Sequence, residues 1–123
     1  MDKAVLGDEI VMKSHGEQRY SYVYIADAVS GLIKVLLDGI DGEAYNISDD
    51  DDGKTLRGYA EYLASLSDQK VKFEIENNLA VSKATFALMD TTKLKALGWI
   101  PLYTVCQGLK ETYTIKRQEN TDC

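Results

Sequence analysis

Residues 88–109 read LMDTTKLKALGWIPLYTVCQGL, and their punctuation decides the fold. Asp90 or Thr91 opens a short helix that runs through Leu97. Gly98 stops it, because glycine adopts φ > 0 without steric cost. Pro101 then prevents the helix from resuming at once. Thr104 and Gln107 form a Thr-x-x-Gln capping box, which starts a second helix. Two helices joined by a Gly-Trp-x-Pro break imply a packed α-containing domain, with Trp99 and Pro101 as packing and stop residues.

Working outward, the segments before this break alternate between strand and helix patterns. Ile10, Val11 and Met12 form a short apolar run suited to a buried strand. After a Ser14-His15-Gly16-Glu17 turn, Tyr20, Tyr22 and Tyr24 recur with period two, as on one face of a strand. Asp27 is placed to cap a helix. Its Val29, Leu32, Ile33 and Leu36 share one stripe at i, i+3, i+4, i+7, expected to be core. Gly39 is the expected helix end, as a residue free to take φ > 0. Residues 42–48, centred on Tyr45-Asn46-Ile47, read as a short strand. Thr55 caps a further helix with Leu56, Tyr59, Ala60, Leu63 and Leu66 on its apolar side. Val71, Phe73 and Ile75 alternate with Lys and Glu, as in a half-exposed edge strand. The pattern predicts an α/β or α+β fold, with a small mixed sheet of about four strands and about four helices. The tail from Gln118 is polar and expected to fray.

Composition narrows the function. With 123 residues the chain is one domain, long enough to bury a core. A net charge of −6 opposes nucleic-acid binding, which needs clustered Lys and Arg. It also opposes adsorption to an anionic membrane. No apolar run reaches membrane-spanning length, and no signal-peptide pattern follows Met1. Cys106 and Cys123 are too few for a disulfide framework and read as free thiols of a cytoplasmic protein.

Candidate chemistry is sparse. His15 is the single histidine, so a His-based triad or a paired-His zinc site cannot be built within one chain. The acidic run Asp49–Asp52 lacks the ligand spacing of an EF-hand, because its one workable register puts Lys54 and Leu56 at ligand positions. It reads as a solvated loop, and no metal is expected. The row of tyrosines either packs beneath a helix or forms a stacking surface. Gly39 and Gly42 are wrongly spaced for a dinucleotide-binding turn and precede a strand where such a turn must follow one. No Tyr-x-x-x-Lys pair occurs; Tyr113 is followed four residues later by Arg117.

Three segments in order resemble the extended short-chain dehydrogenase/reductases, the NAD-dependent sugar-nucleotide epimerases and dehydratases. They are Gly16-Glu-Gln-Arg-Tyr-Ser-Tyr-Val-Tyr-Ile-Ala-Asp27; Gly42-Glu-Ala-Tyr-Asn-Ile47 followed by Thr55-Leu-Arg; and Asp90-Thr-Thr-Lys93 through Leu-Gly-Trp99-Ile-Pro101 to Gly108-Leu109. The resemblance implies a parent enzyme with NAD(P) in an N-terminal Rossmann domain and a nucleoside-diphosphate sugar held by the C-terminal part. Its chemistry would begin with hydride abstraction at the sugar C4, followed by epimerisation, dehydration or decarboxylation. Residues 1–117 are expected to be the C-terminal substrate-binding portion, followed by a frayed tail at 118–123. The Rossmann domain and cofactor site would be absent, so the chain alone would not be catalytic.

Counting back from Asp27, the family's diphosphate-binding Arg falls at Tyr20, with Arg19 one residue early. One residue in a strand is a change of face, which a bulge would restore. Lys83 stands near a second family Arg position, as a point charge without the bidentate fork. Arg19, Tyr20, Tyr22 and Lys83 are therefore the expected substrate contacts. The competing expectation is a stand-alone interaction module that kept the fold and lost the ligand. Without a Rossmann sheet, the Asp27 helix and the 42–48 strand would expose apolar faces, for which a homodimer or an exchange of elements between copies is the expected remedy.

Overall fold

The computed structural model describes residues 1–49, 54–75 and 86–121. Among these residues nine elements follow one another: α1 (Asp2–Leu6), β1 (Ile10–Met12), β2 (Arg19–Tyr20), α2 (Ile25–Asp38), α3 (Leu56–Ser65), β3 (Val71–Phe73), β4 (Phe86–Ala87), α4 (Thr92–Ala96) and α5 (Val105–Thr121). The α/β class stands. The four strands form two parallel pairs, β1 with β3 and β2 with β4, instead of one mixed sheet. Ile10 lies opposite Val71 and Met12 opposite Phe73, while Arg19 lies opposite Phe86 and Tyr20 opposite Ala87. Helix α3 packs against β1, β3 and α5, and α1 packs against α5.

The break at 98–104 forms as the sequence predicts. Helix α4 ends at Ala96, and Gly98 sits at φ 87°, in the left-handed region. Asp90 starts it by accepting the Thr92 amide at 2.9 Å. The capping box is reciprocal: Gln107 N donates to Thr104 Oγ1 at 3.2 Å, and Thr104 N donates to Gln107 Oε1 at 2.8 Å. Thr55 caps α3 by accepting the Gly58 amide at 3.1 Å. Helical structure in α5 continues through Gln118–Thr121, the polar stretch that composition alone marks as a frayed tail. Helix α1 was not foreseen, because five residues are too few to show a period. It is tied down by Ala4, fully buried, and by an Asp2–Lys116 ion pair of 2.7 Å.

Four expectations are corrected. Helix α2 begins at Ile25 with Tyr24 at its N-cap, so Asp27 is the third helical residue and does not cap it. Gly39 closes α2 in an extended conformation, φ −70° and ψ 155°, and the positive φ falls at Gly42. The strand pattern at 20–24 is realised only at Arg19–Tyr20. Residues 42–48 form no regular strand, although the sequence pattern is that of one. A strand is stabilised by a neighbour that takes its N–H and C=O groups, and the described residues supply none along this segment. It is held instead by side chains: Ile47 lies against Gly31 of α2, and Asn46 Nδ2 donates to the Asp90 carbonyl at 2.9 Å.

Helix α2 also reverses the expected orientation. Its buried side is small and polar: Asp27 and Gly31 are buried, and Ser30 is half-buried. Val29, Leu32, Ile33 and Leu36, expected in the core, are exposed. The core lies elsewhere, around Ala4, Tyr59, Ala64, Leu94, Trp99 and Tyr113.

Candidate functional site

The Gly-Trp-x-Pro break is fastened to α2 by a polar network. The buried carboxylate of Asp27 accepts the Leu102 amide at 2.9 Å and the Tyr103 amide at 2.8 Å. These are charge-assisted bonds to backbone groups that the break leaves without helical partners. One turn on, Ser30 Oγ accepts Trp99 Nε1 at 3.0 Å and donates to the Asp27 carbonyl at 2.9 Å. Gly31 supplies the room, because a Cβ there would lie 2.9 Å from Ile47 and 3.4 Å from the Trp99 ring. Asp27 and Trp99 are thus structural residues, which couple α2 to the start of α5.

Three of the candidate substrate-binding residues, Arg19, Tyr20 and Tyr22, stand on the segment that leads into α2. Pairing of β2 with β4 places Arg19 and Tyr20, and the ladder continues where Ser21 N donates to the Ala87 carbonyl at 3.2 Å. Met89 N donates to Ser21 Oγ at 2.6 Å, which ties the segment after β4 to the one after β2. Tyr22 is held twice. Its carbonyl accepts the Asp49 amide at 2.7 Å, and its ring meets Tyr59 edge-on, centroids 5.4 Å apart and planes at 79°. Asp49 reaches across to the start of α5, accepting Val105 N at 3.0 Å. Burial pushes the Tyr22 phenol above its ordinary pKa, and the nearby Tyr20 adds to that shift. The Tyr22 phenol is therefore held in its protonated form at neutral pH. Arg19 is exposed and alternates with Tyr20 along β2. Lys83 lies outside the described residues. So do Asp50–Asp52 of the acidic run. Among the described residues, no group of three or more His, Cys, Asp or Glu is arranged to hold a metal.

Next to Tyr22 is a mainly apolar concavity of 350 Å³, lined by Tyr22, Tyr24, Ile25, Val105, Gly108 and Thr112 among others. Tyr24 packs edge-on against Tyr103, centroids 5.0 Å apart, and covers Gly108, where a Cβ would fall 2.6 Å from its ring. The period-two row of tyrosines is thus partly packing, through Tyr59 and Tyr103. The sequence reading missed Asp49, which looks like one more solvated acid of the run that follows it. It also missed Ser30, whose single hydroxyl carries no pattern.

A model of the NAD dependent epimerase/dehydratase family matches residues 1–48. Among curated proteins, the chain is 28% identical over 125 residues to a UDP-N-acetyl-alpha-D-glucosaminuronate decarboxylase of Bacillus cytotoxicus, covering 97% of this chain and 39% of that one. It is also 28% identical over 120 residues to a dTDP-glucose 4,6-dehydratase of Escherichia coli, covering 89% of this chain and 33% of that one. Among solved structures, a UDP-glucose 4-epimerase of Thermotoga maritima with UDP-glucose superposes over 98% of this chain and 38% of its own, with a TM-score of 0.77 and 25% identity. The chain is an NAD-dependent epimerase/dehydratase-like protein. It spans between a third and two fifths of the length of these relatives. Among its described residues, no helix is long and apolar enough to cross a membrane.

For this epimerase/dehydratase-like chain, the three motifs that carry the likeness fall at defined places. The first supplies β2 and the start of α2, ending on Asp27. The second supplies the irregular 42–48 segment against Gly31. The third supplies α4, the break and α5. Asp27 joins the first to the third through the Leu102 and Tyr103 amides.

Proposed function

We propose that this chain is the substrate-binding portion of an NAD-dependent nucleotide-sugar epimerase or dehydratase and is not catalytic by itself. The observation that carries this reading is the likeness, over nearly the whole chain, to a solved UDP-glucose 4-epimerase that holds UDP-glucose. A second support is the placement of Arg19, Tyr20 and Tyr22 on one short segment, anchored by β4 and by Asp49. In this reading Arg19 and Lys83 supply positive charge to the diphosphate, which point charges and guanidinium groups bind well. The side chains of Tyr20 and Tyr22 offer hydroxyl groups and aromatic faces to the sugar or base. NAD(P) supplies the redox chemistry in the parent enzyme. The chain contributes substrate binding and orientation, because its sequence has neither the Gly-rich turn nor the Tyr-x-x-x-Lys pair that hydride transfer needs.

The test is calorimetric titration of the chain with UDP- and dTDP-sugars. Saturable heat that falls in Lys83→Ala and Arg19→Ala is the expected result. Absence of heat with every nucleotide sugar would remove the ligand-binding role and leave a domain that kept the fold alone.

A further inference from the structure

Asp49, the first acid of the run that follows Ser48, is bonded on two sides and does not stand as a solvated acid. Its amide donates to the Tyr22 carbonyl at 2.7 Å, and its Oδ2 accepts the Val105 amide at 3.0 Å. Val105 is the first residue of α5, so this amide has no acceptor within the helix. The carboxylate also lies at the positive end of the helix dipole. Tyr22 and Val105 both line the apolar concavity of 350 Å³. One short residue therefore fixes the separation between a wall that precedes α2 and a wall that belongs to α5.

We propose that Asp49 is a positioning residue for substrate, one that holds Tyr22 in register with α5 without touching the ligand. The role rests on the nucleotide-sugar site proposed above. Direct contact is the poorer use of this group, because a diphosphate is negative and like charges repel. The Tyr22 ring is seated edge-on against Tyr59, and Asp49 fixes the backbone that carries it. Truncation of the Asp49 side chain breaks the link to α5 but leaves the Asp49 amide and the Tyr59 contact in place.

Calorimetric titration of the 123-residue chain with UDP-glucose tests this, with dichroism and Trp99 emission confirming that each variant is folded. Asp49→Ala is expected to bind about tenfold more weakly, on the scale of one charge-assisted hydrogen bond. Asp49→Asn retains a carbonyl that can accept the Val105 amide and should stay within about twofold of wild type. Asp49→Glu keeps the charge but lengthens the link, and should bind more weakly than Asp49→Asn. A residue that acted by charge alone would give the opposite order. Acting through Tyr22, Asp49→Ala should add less than about twofold in a Tyr22→Ala background, yet its full tenfold or so in an Arg19→Ala background. Thr104→Ala loosens the same first turn of α5 and should leave affinity unchanged, which separates positioning from stability. Wild-type affinity in Asp49→Ala overturns the proposal. So does a loss that Asp49→Asn or Thr104→Ala reproduces, or one that persists in full without the Tyr22 ring. A wild type that gives no heat overturns the site itself and the positioning role with it; a wild type that binds no better than Asp49→Ala overturns the positioning role alone.

Discussion

Removing the Asp27 carboxylate should loosen the junction between α2 and α5 more than any other single truncation on the surface of α2. Asp27 is 1% exposed and accepts two backbone amides, from Leu102 and Tyr103, at 2.9 and 2.8 Å. A hydrogen bond to a charged acceptor contributes about 1.5–3 kcal/mol, and a donor left unsatisfied away from water costs about 1–3 kcal/mol. Both amides are only partly buried, so water reaches them in the variant and the lower ends apply. Asp27→Ala is therefore expected to cost about 3 kcal/mol, a large fraction of the roughly 5–15 kcal/mol that holds a domain folded. Asp27→Asn keeps one acceptor but turns an NH₂ toward the second amide, so it should recover only part of the loss. The assay is urea unfolding followed by dichroism and by emission of Trp99, the single tryptophan, whose indole is bound to Ser30 one turn away. A fall in midpoint with an unchanged slope reports lost stability and not a changed unfolded state. An Asp27→Ala variant within about 0.5 kcal/mol of wild type would refute the reasoning, because the carboxylate would then not be holding the break.

Three further outcomes are expected. Gly108→Ala should destabilise by about 1–3 kcal/mol despite the better helix propensity of alanine, because its Cβ would press the Tyr24 ring at 2.6 Å; thermal unfolding reads the sign. Thr104→Ala removes the acceptor for Gln107 N and should cost about 1 kcal/mol, with the loss of helicity confined to the first turn of α5 in amide exchange. Lys116 holds the Asp2 carboxyl below its ordinary pKa by hydrogen bond and charge. The stability from that depression is present above the ordinary carboxylate range and is lost as pH falls through the lowered value. Lys116→Ala should remove this increment and return Asp2 toward its ordinary titration, followed by carboxyl carbon chemical shifts.

The parts of the fold legible in the sequence were those written in local signals. Gly98, the Thr104–Gln107 box and the Thr55 cap act within one turn of where they stand, so their positions predict their geometry. The apolar run at 10–12 and the alternation at 71–73 likewise became strands. What was not legible depended on distant partners. The carboxylate of Asp27 is a good N-cap by type, but the free amides of Leu102 and Tyr103 stand 75 and 76 residues away and claim it. The stripe of α2 has the period of a core helix, but periodicity says only that one side is apolar, not what lies against it. Residues 42–48 have strand composition without a strand partner among the described residues. At the candidate site, the likeness of motifs pointed to Arg19, Tyr20 and Tyr22. The packing of Tyr22 on Tyr59 and its tie to Asp49 required the folded chain, since the residues involved are 37 and 27 positions apart.

The central claim is that this epimerase/dehydratase-like chain binds a nucleoside-diphosphate sugar through the β2 segment and Lys83. Isothermal titration with UDP-glucose and dTDP-glucose tests it most directly. The account predicts one saturable site per chain, weakened about tenfold or more, or about 1.4 kcal/mol, by Arg19→Ala and by Lys83→Ala. Tyr22→Phe should weaken it less, because the ring and its contact with Tyr59 remain. No binding of either sugar nucleotide, or binding that neither cation substitution changes, would contradict the account.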